Sequence, residues 1–152
     1  MKNYILLLAL LLGFSNVYSQ ISVGESIKTE IIGKTKNGAY TMECQKFGNS
    51  YTFFFRNMKY QNIVDMESFS FKDIDNAFEN LYQILTSDLD NPPENCVRVI
   101  HLQDGTLNIE YSSCTKGVVN GYLKFNVHIK GKPYAYTNWY NRKKIDKLFG
   151  KS

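Results

Sequence analysis

Residues 70–93 read SFKDIDNAFENLYQILTSDLDNPP, and this stretch decides the fold. Ile74, Ala77, Phe78, Leu81, Tyr82, Leu85 and Leu89 recur at helical spacing, which gives a long amphipathic helix one apolar face. Ser70 is the expected N-cap, and Asp73 three residues on completes a capping-box-like start. Asn91-Pro92-Pro93 ends the helix, because proline supplies no N–H and turns its predecessor away from helical geometry. The apolar stripe is expected to pack across a sheet.

Strand signals flank the helix on both sides. Over residues 26–57, Asn37-Gly38 and Gly48-Asn49 are two-residue hairpin signals set among Ile, Tyr, Phe and Thr. Pairing across Gly48-Asn49 sets Cys44 opposite Phe53 and Met42 opposite Phe55, an apolar face. Pairing across Asn37-Gly38 adds Ile31 opposite Cys44 and Gly33 opposite Met42 on that same face. Residues 60–70 hold a further strand with less regular alternation.

After the helix, residues 96–114 form a hairpin. A three-residue loop, Gln103-Asp104-Gly105, sets Val97, Val99 and His101 opposite Tyr111, Ile109 and Leu107, with Arg98 opposite Glu110 on the other face. From 121 to 129, Leu123, Phe125, Val127 and Ile129 point one way, and Tyr122, Lys124, Asn126 and His128 the other. Lys130-Gly131-Lys132-Pro133 is a turn, and Tyr134 to Thr137 is a last strand. Asn141 caps a short helix carrying Ile145, Leu148 and Phe149, with Gly150 at its stop. Strands, long helix, strands, short helix is an α+β order, expected to give a largely antiparallel sheet of about seven or eight strands.

Composition sets the class. The chain has 152 residues, 43% of them apolar and 14% aromatic, which excludes intrinsic disorder. Three Pro and ten Gly exclude collagen-like and Pro-rich sequence. Residues 1–19 read as a secretory signal peptide: Lys2, the apolar run Ile5 to Leu12, then Val17 and Ser19 before cleavage at Ser19-Gln20. That run is shorter than the roughly 20 residues of a membrane span, so no transmembrane segment is expected once it is removed. Residues 20–152 are the expected single α+β domain, periplasmic or extracellular.

An exported chain meets an oxidising compartment, and three cysteines leave at least one unpaired within the chain. Cys44 points to the core face, which argues against a nucleophilic role. Cys96 and Cys114 share a face at the open end of their hairpin. A bridge between them closes a loop of about 18 residues and stabilises by roughly 3 kcal/mol. Three reduced thiols, or a bridge through Cys44, are the alternatives.

Motifs of catalysis are missing: no nucleophile elbow, phosphate loop, paired metal-spaced histidines or CxxC. No catalytic residue, metal or cofactor is therefore expected, although a site assembled from distant residues leaves no local signature. His101 reads as the end of an inward row and His128 as solvated. Tyr134, Tyr136, Trp139 and Tyr140 cluster near the C-terminus. Exposed, Tyr134 and Tyr136 stack on a sugar or peptide; buried, they are sheet core under the last helix.

The net charge of +4 conceals polarity. Residues 115–152 carry nine Lys or Arg against Asp146, while residues 64–94 carry eight acids against Lys72. The two regions either neutralise each other or form separate faces. Arg142, Lys143, Lys144 and Lys147 suit an anionic glycan, whereas nucleic acid finds no recognition motif here.

The stretch from Tyr60 through Phe71 into Leu81-Tyr82, with the closing Lys147-Leu148-Phe149-Gly150-Lys151, resembles short exported proteins of Gram-negative bacteria that carry no assigned activity. The resemblance implies a small exported domain and no functional residue. The expected function is a binding or structural module recognising a protein or glycan through Tyr134, Tyr136, Trp139 and the basic C-terminal residues. An envelope hydrolase or inhibitor is the alternative, as is an immunity-like protein using the acidic 64–94 region.

Overall fold

The computed structural model describes residues 28–60, 62–115 and 121–151. The expected leader and the expected cleavage site at Ser19-Gln20 lie outside the described residues. Strands β1 (Thr29–Asn37), β2 (Tyr40–Phe47), β3 (Ser50–Arg56) and β4 (Met66–Lys72) precede helix α1 (Ala77–Asp90). Strands β5 (Val97–Leu102), β6 (Gly105–Tyr111), β7 (Tyr122–Ile129), β8 (Ala135–Tyr136) and β9 (Tyr140–Asn141) lead into helix α2 (Arg142–Leu148).

The α+β class and antiparallel pairing hold, but the single sheet of seven or eight strands does not. There are two sheets. One runs β1-β2-β3-β4 in sequence order; the other runs β5-β6-β7-β8, with β9 also on β7. The division falls at α1, which carries the chain away from β4 before β5 begins, so both strands remain sheet edges. Among the described residues no helix is long and apolar enough to cross a membrane.

Loop chemistry fixes the first sheet. Phe47 pairs Ser50 around Gly48-Asn49, and Cys44 faces Phe53 and Met42 faces Phe55, as the alternation requires. The β1–β2 loop is Gly38-Ala39, one residue later than expected, and Asn37 pairs Tyr40. In both loops a glycine with positive φ occupies the first position, +62° at Gly38 and +56° at Gly48, where a Cβ would be strained. The later loop moves the partners by two residues and preserves the face: Gly33 opposes Cys44, and Thr35 opposes Met42. Ile31 falls at a bulge and is 62% exposed. Gly33 is required there, because a Cβ would overlap the Lys147 carbonyl oxygen where α2 crosses β1.

α1 starts later than its apolar spacing indicates. Ser70 stays in β4, and Ile74 precedes the helix, exposed. Asp75 and Asn76 adopt positive φ, and the Asp73 carboxylate accepts the Phe78 N–H at 3.0 Å. Asp73 thus still satisfies a first-turn donor, from farther out than a capping box. Phe78, Leu81, Leu85 and Leu89 are buried, and the helix ends at Asp90 before Asn91-Pro92-Pro93. In α2 the Asn141 side chain accepts the Lys144 N–H at 3.1 Å, the expected cap.

The second hairpin corrects a one-residue slip. Leu102 pairs Gly105 around a two-residue loop, so Ile100 faces Leu107, Arg98 faces Ile109, and Val97 faces Glu110. Ile100 and Leu102 turn inward, while Val99 and His101 turn out; Val99 is 51% exposed. Arg98 shares the parity of Ile100 and Leu102 at the exposed edge of the strand and donates twice to Asp88 of α1, each at 2.8 Å. That partner lies on the helix, outside anything hairpin alternation reports. Cys96 and Cys114 form the disulfide, with Cα atoms 4.9 Å apart.

One core joins both sheets and both helices. Phe53 stacks on Phe69 at 4.9 Å, Phe69 meets Phe125 of the second sheet at 6.0 Å, and Phe78 of α1 meets Phe149 at 4.8 Å. Burial pushes the Cys44 thiol up to about 12 and the Tyr140 phenol up to about 12. In the unfolded chain these groups ionise near pH 8.5 and pH 10. Because folding raises both values, their contribution is complete below about pH 8.5 and declines as pH rises toward about 12. Urea denaturation at stepped pH is expected to show that decline, and Cys44→Ala to remove the part beginning near pH 8.5. Undiminished stability up to about pH 11 would contradict it.

Candidate functional site

The outer face of the second sheet is laid out by its registers in three rows. Val97, Glu110 and Lys124 are partners in the first, with Trp139 beside Lys124. Val99, Asn108, Asn126 and Tyr136 make the second. His101, Thr106 and His128 make the third, and the Tyr134 ring lies 4.6 Å from that of His128. On this face Val99, His101 and His128 are exposed, whereas Asn126 is buried at 6% exposure.

Trp139, Tyr136 and Tyr134 therefore form an aromatic column along one side of the face. The outward turn of Tyr134 and Tyr136 follows from strand parity, since Ala135 and Thr137 take the inward positions and are buried, while Trp139 alternates with the buried Tyr140 of β9. Tyr134 and Tyr136 have centroids 5.6 Å apart, and Tyr134 is 39% exposed. Trp139 and Tyr136 are half-buried. Neither of these tyrosine rings lies in the core: Tyr134 is exposed and Tyr136 half-buried, whereas Tyr140 is core.

Polar side chains line the column. The Lys124 ammonium lies 4.9 Å from the Trp139 centroid and 5.8 Å from that of Tyr136, within cation–π reach. It also pairs with Glu110 at 3.0 Å. The Tyr134 hydroxyl donates to Asn126 Oδ1 at 2.8 Å, and Asn126 Nδ2 donates to Glu110 at 3.3 Å. Burial, then the Glu110 charge, raises the Tyr134 phenol, which keeps it a donor. Next to Asn126, Asn108 holds a buried side-chain oxygen with no hydrogen-bond partner.

Sequence reading left Glu110, Asn108 and Asn126 out of the site and counted His128 as merely solvated. The signal was present: the alternation of 121–129 puts Lys124, Asn126 and His128 on one face, and the turn at 130–133 returns Tyr134 and Tyr136 to it. His101 is exposed and outward, not at the end of an inward row.

The basic residues grouped with the aromatics are carried elsewhere, on α2, which packs on β1 and α1. Arg142 donates to Asp90 and to the Thr86 carbonyl, both at 2.6 Å. Lys151 pairs with Glu79 at 2.7 Å, and Asp146 accepts from Tyr82 at 3.0 Å. The C-terminal cations and the acidic helix thus neutralise each other in part, while Lys143 and Lys147 stay exposed. Glu67 and Asp88, also in the acidic region, are paired with Lys132 and Arg98.

No family model, curated protein or solved structure matches the chain.

Proposed function

We propose that this protein is a binding module that holds a glycan on the outer face of its second sheet. The observation that carries the reading is the column of Trp139, Tyr136 and Tyr134, each at least partly accessible, beside a row of hydrogen-bonding side chains on the outer face of the sheet. Aromatic rings offer a sugar ring large contact at small entropic cost, and the half-exposed Glu110 carboxylate and Lys124 ammonium meet its hydroxyls, with buried Asn126 holding Tyr134 and Glu110 in place. The Cys96–Cys114 bridge is compatible with export to the periplasm or beyond, where such glycans are met.

Screening the protein on an immobilised glycan panel, followed by calorimetric titration, tests the reading. Trp139→Ala is expected to weaken retention about tenfold or more, as for a central aromatic anchor. Lys143→Glu, on α2, is expected to leave it unchanged. A panel that retains nothing, or equal binding by Trp139→Ala, would contradict the proposal.

A further inference from the structure

A second feature meets that face only at His101. Between the two sheet edges runs a half-open groove of about 520 Å³. One wall is residues 70–72 of β4, the other residues 100–102 of β5, and the floor is Leu81 and Ile84 of α1 with Leu107 of β6. The lining is mostly apolar, and two of its isoleucines reach solvent: Ile74 is 62% exposed and Ile84 37%. Exposed apolar side chains lining a concavity offer contact area to an apolar ligand. The volume falls within the roughly 300–1,000 Å³ of small-ligand sites.

The lining places its charges asymmetrically. Lys72, where β4 ends, has no ion pair or hydrogen-bond partner for its ammonium among the described residues. Asp104, at the tip of the β5–β6 hairpin, also has no partner for its carboxylate there. His101 stands near that tip, exposed.

We infer that this groove binds a single-chain amphiphile, its alkyl chain lying between Ile84, Leu81 and Leu107 and an anionic oxygen of its headgroup meeting Lys72. The groove supplies apolar area for the chain, and Lys72 supplies the charge-assisted hydrogen bond that orients it. A fatty carboxylate and a phosphate-diester head share that chemistry. They differ at Asp104, which repels the wholly anionic head and attracts the ammonium of a zwitterionic one. An extended peptide adding to the bare edge of β4 or β5 would use backbone groups instead, and its affinity would not depend on Lys72.

Binding of laurate, dodecylphosphocholine and dodecanol to the protein, each below its micelle concentration, tests the inference by calorimetry. Saturable binding of laurate or dodecylphosphocholine is expected, and the tighter of the two identifies the headgroup. Lys72→Gln is expected to weaken that ligand about tenfold and to change dodecanol less than about twofold. Ile84→Asp is expected to weaken all three about tenfold or more, because it puts a charge on the apolar floor. If circular dichroism shows that Ile84→Asp does not fold, Ile74→Asp at the more exposed position carries the same test. Three results would each overturn the inference: no alkyl probe binds; Lys72→Gln weakens dodecanol as much as the charged probes; or only an extended apolar peptide binds.

Discussion

Phe53→Ala is expected to destabilise the protein by about 3–5 kcal/mol, a loss comparable to much of a small domain's stability. Phe53 has no exposed surface. Its ring lies 4.9 Å from Phe69, 5.4 Å from Phe149, 6.1 Å from Phe71 and 6.4 Å from Phe78. One side chain from β3 therefore touches β4, α1 and the end of α2. Truncation removes the ring's transfer free energy and leaves a cavity that these elements cannot close without moving against one another. Urea denaturation should show a lower midpoint with an unchanged slope, the mark of lost stability rather than a different unfolded state. Phe54→Ala is the control: Phe54 is the next residue on the same strand but faces outward and is only half-buried, so its cost is expected to be smaller by several fold. Equal costs at the two positions would mean that the first sheet does not bury the face assigned to it.

The same strand shows why part of this fold can be read from sequence. At Gly48-Asn49 two local signals agree, a glycine able to take positive φ at the first loop position and alternating Met42, Cys44, Phe53 and Phe55. At Asn37-Gly38-Ala39 the turn chemistry allows two placements, and the alternation cannot separate them because they differ by two residues and keep the face. What does separate them is the passage of α2 over Gly33, a contact between residues more than a hundred positions apart. Division into two sheets was hidden for a related reason, since alternation identifies strands without naming their neighbours. The candidate site was half legible: the parity of Tyr134 and Tyr136 was readable, but their exposure depended on whether a helix covered them. Ala135 and Thr137, small and at the opposite parity, fit the tighter side, and Thr137 Oγ1 accepts the Phe125 N–H at 3.0 Å there.

Arg98→Ala is expected to cost about 1–3 kcal/mol, since the Arg98 side chain is 44% exposed while its partner is buried, an effect that hairpin alternation alone would not anticipate. Asp88 is 5% exposed, and its carboxylate accepts Nε and Nη2 of Arg98 at 2.8 Å each and the Tyr111 hydroxyl at 3.0 Å. The paired geometry is bidentate, the strongest arrangement open to arginine and a carboxylate. Burial, then the Asp88 charge, pushes the Tyr111 phenol far up, so it remains a donor. Truncating Arg98 leaves that carboxylate buried with only Tyr111, and an uncompensated buried charge costs more than the pair contributes. Adding Asp88→Leu to Arg98→Ala should therefore recover a large part of the loss, whereas two independent contacts would add. The pair also sets the register of β5. A slip by one residue would turn Val97, Val99 and His101 inward and satisfy apolar alternation, but it would carry Arg98 to the outer face and strand Asp88. The Tyr111 N–H to the Cys96 carbonyl, at 2.9 Å, and the adjacent disulfide hold the same strand start in place. Hydrogen exchange of the β5 amides is expected to quicken in Arg98→Ala more than that of the β2 amides. Simple additivity in the double variant, with β5 protection unchanged, would show that the ion pair neither anchors the strand nor selects its register.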